Sequence, residues 1–264
     1  LLFGLIAAGA VFAARWHGRH STALAARAHA FWRYVGQRWS AHGYLAAHLA
    51  VGLAISVLAL WCFAALADAV VDRAAITQFD IALDNTLHAH TRRRGIVIAR
   101  LLSDIGSPIA MTILMIVVAV VLWLRHERLL LTTWLAAFVG GSVLDQALKL
   151  IFHRPRPTFQ TPIIVAHGFS FPSGHSMGSL IGFGVLAYLI LRVTRRRALR
   201  SAIVVATVAL VLAIGISRLY LGVHYFSDVV AGYAAGIVWL TACLSGAEVT
   251  RGAPRPVEAP ATYV

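Results

Sequence analysis

Six stretches of this 264-residue chain are apolar for long enough to cross a bilayer, and no other feature limits its folding as severely. They lie at about 44–68, 107–124, 129–152, 174–193, 199–219 and 226–246. Within hydrocarbon each backbone N–H and C=O must find its partner inside the protein, and a helix of roughly 20 residues satisfies this while spanning the membrane. The expected fold is therefore all-α and integral to the membrane, a six-helix transmembrane bundle. Residues 1–14, LLFGLIAAGAVFAA, are apolar but short, and are read as a truncated extra span at the N-terminus. A mean hydropathy of +0.78 with only 12% charged residues excludes an ordinary soluble domain.

The net charge of +13 would suit a nucleic-acid binder, but the basic residues fall in short clusters between apolar runs, so nucleic acid is not an expected partner. Arg125 and Arg128 follow the second run, and Arg192, Arg195, Arg196, Arg197 and Arg200 join the fourth to the fifth. Excess positive charge marks cytoplasmic loops. Alternation then puts the loop 153–173 and the turn 218–225 together on the outer side, against the smaller pull of Arg92, Arg93 and Arg94. The expected organisation is an apolar segment and basic cytoplasmic linker at 1–43, a transmembrane domain at 44–247 and a polar tail at 248–264. The chain starts at Leu1 inside an apolar run, which reads as the continuation of a longer polypeptide. Cys62 and Cys243 both lie in apolar runs and suggest neither a disulfide nor a zinc site. Nothing in the pattern sets an oligomeric state.

Between the first two runs, Ile76, Phe79, Leu83 and Leu87 recur at helical spacing, as in an amphipathic segment lying along the interface. Asp80, Asp84 and His88 occupy its other face, expected to be a solvated one.

Three polar blocks interrupt the apolar pattern where it ends and resumes. The first is Lys149, six residues, then Arg156-Pro157; Lys149 is the chain's one lysine. The second is Pro172-Ser173-Gly174-His175, and the third is Ser217-Arg218, five residues, His224, three residues, Asp228. Three cations brought together beside hydrocarbon call for an anion, and arginine forks with a lysine point charge suit phosphate. A self-neutralising pair of Lys149 with Asp145, one turn away, would leave Arg156 and Arg218 unexplained. Ser173 is placed to cap the fourth span, and Gly174 lets a ligand approach the N–H groups at the helix start. His224 and Asp228 share a helical face, so the carboxylate can fix the imidazole tautomer and leave the other nitrogen reactive.

In order and spacing these blocks resemble the type 2 phosphatidic acid phosphatase family of membrane lipid phosphatases, over residues 149–228. The resemblance implies hydrolysis without metal or cofactor, through a phosphohistidine formed on His224. His175 then serves the leaving oxygen and later the attacking water, and Asp228 steadies the His224 imidazolium. Lys149, Arg156, Ser173, Gly174 and Arg218 hold the phosphate. The implied substrate is a lipid phosphate or diphosphate, with undecaprenyl diphosphate first and phosphatidic acid or phosphatidylglycerol phosphate second. The implied location is a bacterial inner membrane with an outward-facing site. A zinc site of His175, His224 and Asp228 is the sharpest chemical rival. A lipid phosphotransferase using the same site and a non-catalytic transporter or scaffold are the other classes. Phe159, Phe169 and Phe171 suit either a tail entrance or interface anchors. Ser103-Asp104-Ile105-Gly106-Ser107 resembles family sequence at the start of the second span, with Asp104 as a cap or loop anchor.

Overall fold

The computed structural model describes residues 41–72 and 75–252. The expected N-terminal span, almost all of the basic linker and the end of the polar tail lie outside these residues. The chain divides into two compact units, one of residues 52–244 and one of residues 1–51 with 245–264. All side chains of the candidate site belong to the first.

Every regular element among the described residues is helical. In chain order they are α1 (Ala41–Val71), α2 (Ala75–Ala89), α3 (Arg93–Ile105), α4 (Pro108–Leu124), α5 (Arg128–Leu135), a π-helical turn (Ala136–Gly140), α6 (Gly141–Phe152), α7 (Gly174–Val193), α8 (Arg197–Tyr220) and α9 (Phe226–Gly252). Among the described residues, six helical segments are long and apolar enough to cross a bilayer, beginning at Leu49, Arg93, Arg128, Gly174, Arg197 and Phe226. The fold is an all-helical transmembrane bundle.

The second span begins at Arg93, well before the apolar run that announces it at 107. Its first half, α3, carries Arg93, Arg94, Ser103 and Asp104, whose polarity hides it from a search for apolar runs. Gly106, Ser107 and Pro108 break the segment. Ser107 Oγ accepts the Ala110 N–H at 3.2 Å and Pro108 takes the first helical position, where a missing N–H costs nothing. Capping thus falls to Ser107, and Asp104 is exposed. A side chain at Gly106 would meet Ile214 of α8 at 2.6 Å, so the break also permits close packing.

The third span runs through α5, the π-turn and α6. A π-turn widens the helix and displaces carbonyls from the i→i−4 ladder. One of these, of Ala137, accepts the Trp239 indole N–H from α9 at 3.1 Å. Gly140 admits that indole, since a Cβ there would lie 2.2 Å from the ring. Trp134, fully buried, donates in the same way to Met115 O at 2.9 Å. α7 is the central helix: 50% of its apolar window is buried, against 33% or less for every other span. Its Met177, Ile181 and Val185 join Trp134, Ala137, Leu122 and Ala235 in the main core. Outward residues such as Trp61, Ile109 and Val205 stay exposed, as lipid-facing positions do.

α2 reverses the sequence expectation. Its acidic face is turned inward, with Asp80 only 1% and Asp84 6% exposed, while Phe79 and Ile81 remain open. At a membrane interface exposed apolar groups are tolerated, whereas the buried Arg154 and the Ser227 N–H require partners, and Asp80 provides them.

Candidate active site

α6 ends at Phe152, and His153 stops it in the left-handed conformation with φ of 47°. Lys149, on the last turn, holds Asp145 Oδ2 at 2.5 Å. The loop that follows folds back on itself: Ser170 N–H donates to Arg154 O at 2.9 Å and its hydroxyl to Pro155 O at 3.0 Å. Arg156 then crosses to the third block. Its Nε donates to Gly168 O at 3.1 Å, and a terminal nitrogen donates to Val223 O at 2.7 Å and meets His224 Nε2 at 3.1 Å. One guanidinium therefore ties the loop to the turn and faces the imidazole.

Ser173 caps α7 as the sequence suggests. Its hydroxyl accepts from Ser176 N at 3.5 Å and Ser176 Oγ at 3.1 Å, while its own N–H donates to Asp228 O at 2.9 Å. These bonds leave it fully buried. A side chain at Gly174 would push its neighbours aside, because a Cβ would lie 2.7 Å from Lys149 Nζ and 2.8 Å from Asp145 Oδ2. Gly174→Ala is expected to weaken inorganic phosphate binding by about tenfold, or about 1.4 kcal/mol, by displacing Lys149. Titration calorimetry of the purified variant measures this, and unchanged affinity would separate Lys149 from the anion.

α8 ends at Tyr220. The Val223 N–H bonds back to Arg218 O at 3.2 Å, and Gly222 takes φ of 65°, which glycine adopts without strain. That tight turn delivers His224, 2% exposed, just ahead of α9. Asp228 caps α9 through Oδ2, which accepts the Tyr225 N–H at 2.9 Å and lies 3.4 Å from His224 Nδ1. Arg218 donates to Ser103 Oγ across the bundle, and its buried Nε has no hydrogen-bond partner among the described residues.

Lys149, Arg156, Gly174, His175, Arg218 and His224 border one cavity of about 640 Å³. Its remaining wall is largely apolar, with Met111 and Met115 of α4, Phe138 and Val139 of the π-turn, Val143 of α6 and Ile181 of α7. Ser173 and Asp228 do not border it: one sets the start of α7, the other stands behind His224. The two halves of Asp228 are committed, Oδ1 to Arg154 at 2.5 Å and Oδ2 to Tyr225 and His224. Among the described residues, no group of three or more His, Cys, Asp or Glu side chains is arranged to hold a metal ion. The three loop phenylalanines also lie away from the cavity wall. Phe171 is buried against Phe63 and Phe152, Phe159 stacks on His88 at 3.9 Å, and Phe169 meets His153 edge-on.

Sequence reasoning missed Asp80, Ser103, Arg154 and Ser227, each bonded to a residue of the three blocks or its immediate support. A signal did exist. The chain has only ten acidic residues, so two of them at one helical spacing on α2 stand out.

Burial most of all, with Arg156 and Arg218 nearby and against the adjacent Asp228 carboxylate, lowers His224 from its usual value to about 4. The imidazole is thus neutral near neutral pH. Its Nδ1 lies beside a carboxylate and the residue borders the cavity, an arrangement that can leave Nε2 with a reactive lone pair.

Residues 128–249 match the family model described as the PAP2 superfamily. Phosphatidylglycerophosphatase B of Bacillus subtilis (strain 168) is 36% identical over 108 residues, covering 39% of this chain and 51% of the relative. The match thus spans about half the length of that curated protein. The crystal structure of the first transmembrane PAP2 type phosphatidylglycerolphosphate phosphatase, from Bacillus subtilis, superposes with a TM-score of 0.67 at 23% identity, over 76% of this chain and 98% of that one. The crystal structure of Aquifex aeolicus LpxE gives 0.50 at 22% identity, over 63% and 94%. At these identities the two structures establish a shared fold.

Proposed function

We propose that this chain, whose residues 128–249 match the PAP2 superfamily model, is a multi-pass membrane phosphatase of that family that removes phosphate from a lipid through a phosphohistidine on His224. The observation that carries the reading is the cavity itself: three cations and two histidines at one part of its wall, and an apolar surface over the rest. A phosphate head with a hydrocarbon tail matches both halves.

Arg156 places a terminal nitrogen 3.1 Å from His224 Nε2. Arg156, Lys149, Arg218 and the N–H groups at the start of α7 hold the phosphate oxygens beside Nε2, which attacks in line. The N–P bond forms as the P–O bond to the lipid breaks, and His175, carrying a proton once the phosphate anion is bound beside it, gives that proton to the departing oxygen. Neutral His175 then takes a proton from water, the water oxygen bonds to phosphorus, the N–P bond breaks, and inorganic phosphate leaves. The Asp228 carboxylate stabilises the positive charge on the ring while the phosphohistidine exists. Ser173 acts by fixing the start of α7.

Phosphatidylglycerol phosphate stands beside undecaprenyl diphosphate and phosphatidic acid as the substrates to test. A curated relative bears the first name, and an outward-facing pocket suits the second. The arginines at 125–128 and 192–200, at the opposite ends of the spans from the site, support an orientation with the pocket on the outer side of a bacterial inner membrane. Residues 44–247 are proposed as the phosphatase domain.

The test presents purified protein in detergent with these three lipids and a chelator, and measures phosphate release. Release from at least one lipid with chelator present is the expected result. No release from any lipid would end the hydrolase reading, and phosphoryl transfer to an acceptor lipid with little free phosphate would replace it with a transferase.

A further inference from the structure

Behind the cavity, built around Asp228 of the third block, lies a buried ionic cluster. Arg154, 7% exposed, donates to Asp228 Oδ1 at 2.5 Å, to Ser227 Oγ at 2.7 Å and to Asp80 Oδ2 at 2.8 Å. The Tyr225 ring closes over its guanidinium at 4.3 Å. Asp80 reaches in from α2 and also accepts the Ser227 N–H at 3.0 Å and the Ser227 hydroxyl. Neither Asp80 nor Arg154 borders the cavity. We infer that Asp80 and Arg154 are positioning residues for the reaction, fixing the Asp228 carboxylate and, through it, the ring and charge balance of His224. The inference rests on the phosphatase reading above for its kinetic consequences.

Two arguments carry it. The first is geometric. Asp228 Oδ2 alone holds the Tyr225 N–H and faces His224 Nδ1, and a carboxylate gripped at one oxygen is free to rotate. Arg154 grips the other oxygen and links the two acids, and Ser227 ties Asp80 to the start of α9, so the plane of Asp228 is set by groups on α2, the loop and α9 together. The second is charge. Arg154 paired with Asp228 alone would neutralise the carboxylate that the imidazolium needs. Asp80 supplies the counter-charge, leaving the cluster with one net negative charge beside His224. Asp84, a third acid nearby, is raised to about 7 by burial first and then by Asp80 and Asp228, so it is protonated in the range near 4 where His224 titrates. The other groups facing His224 are Arg156 of the loop, Arg218 of α8 and His175 of α7, and the variants below leave all of them in place.

The charge argument gives the variants opposite signs. Arg154→Gln removes the cation and exposes His224 to the full charge of Asp228, so its titration moves up. Asp80→Asn lets Arg154 neutralise Asp228, so the titration moves down. Arg154→Lys keeps the charge but loses the fork, and leaves the titration near the wild-type value. In each variant kcat is expected to fall by about tenfold or more, while KM and inhibition by inorganic phosphate stay within about twofold, because the cations of the cavity are untouched. The experiment combines these kinetics with NMR titration of histidine-labelled protein, His224 being identified by the signal lost in His224→Ala. A wild-type protein without turnover would end the phosphatase reading but leave the opposed NMR shifts as a test of the cluster. Unmoved titrations with unchanged kcat in folded variants, or a loss of kcat that follows thermal stability and is equal in Arg154→Lys and Arg154→Gln with no NMR shift, would overturn the inference.

Discussion

His224→Ala is expected to reduce phosphate release by about 10⁴-fold or more, the scale seen when a nucleophile is removed from a site that otherwise keeps its binding groups. Inorganic phosphate should still bind, since Lys149, Arg156 and Arg218 remain. The same residue sets the acid limb of the wild-type profile. Its value of about 4, lowered chiefly by burial, means that the neutral ring with a free lone pair dominates above that pH. Protonation removes the lone pair, so kcat/KM should fall about tenfold per pH unit below about 4. Rates measured from pH 3 to 8 with wild type, alongside single-turnover assays of the variant, check both statements. A variant that still releases phosphate at a tenth of the wild-type rate would mean that the imidazole is not the attacking group.

Much of this was legible in the chain because the membrane makes structure follow composition. Five of the six spans begin within a few residues of the limits set by their apolar runs, since a segment in hydrocarbon has almost no choice but helix. The exception, the span from Arg93, opens with polar residues that serve the protein rather than the lipid: Ser103 bonds Arg218, and Tyr220 OH accepts the Arg92 N–H at 2.9 Å. The convergence of Lys149, Arg156, His175, Arg218 and His224 on one cavity also followed from spacing, because chain alternation leaves their segments at one end of the bundle.

What spacing could not supply was the depth of each residue. Ser173 and Asp228 sit in the same short blocks as residues on the cavity wall, yet both are fully buried behind it. The acidic face of α2 was invisible for a related reason. A polar stripe on an amphipathic helix looks the same whether water or a buried arginine faces it, and only the tertiary position of Arg154 distinguishes the two. The π-turn likewise depends on Trp239, almost a hundred residues away, accepting no neighbour at Gly140 larger than hydrogen.

Arg156→Lys should be nearly as damaging as removal of the charge, with kcat/KM down by roughly 10³-fold, the upper part of the range for losing a preorganised donor at a developing charge. Lysine keeps a positive charge at this position, so a purely electrostatic role predicts a mild effect. The geometry predicts otherwise. Arg156 uses Nε to hold Gly168 O and a terminal nitrogen to hold Val223 O while meeting His224 Nε2, three contacts fixed by one rigid plane. An ammonium on a flexible stem cannot reproduce them together. Losing them releases the loop 153–173 from the turn that carries His224, so the variant should suffer in both KM and kcat: the anion loses a fork and the nucleophile loses its fixed turn. Parallel kinetics on Arg156→Lys and Arg156→Ala decide the matter. Two similar losses would support the fork as a tie between the blocks, whereas a lysine variant close to wild type would reduce Arg156 to a charge that any cation can replace.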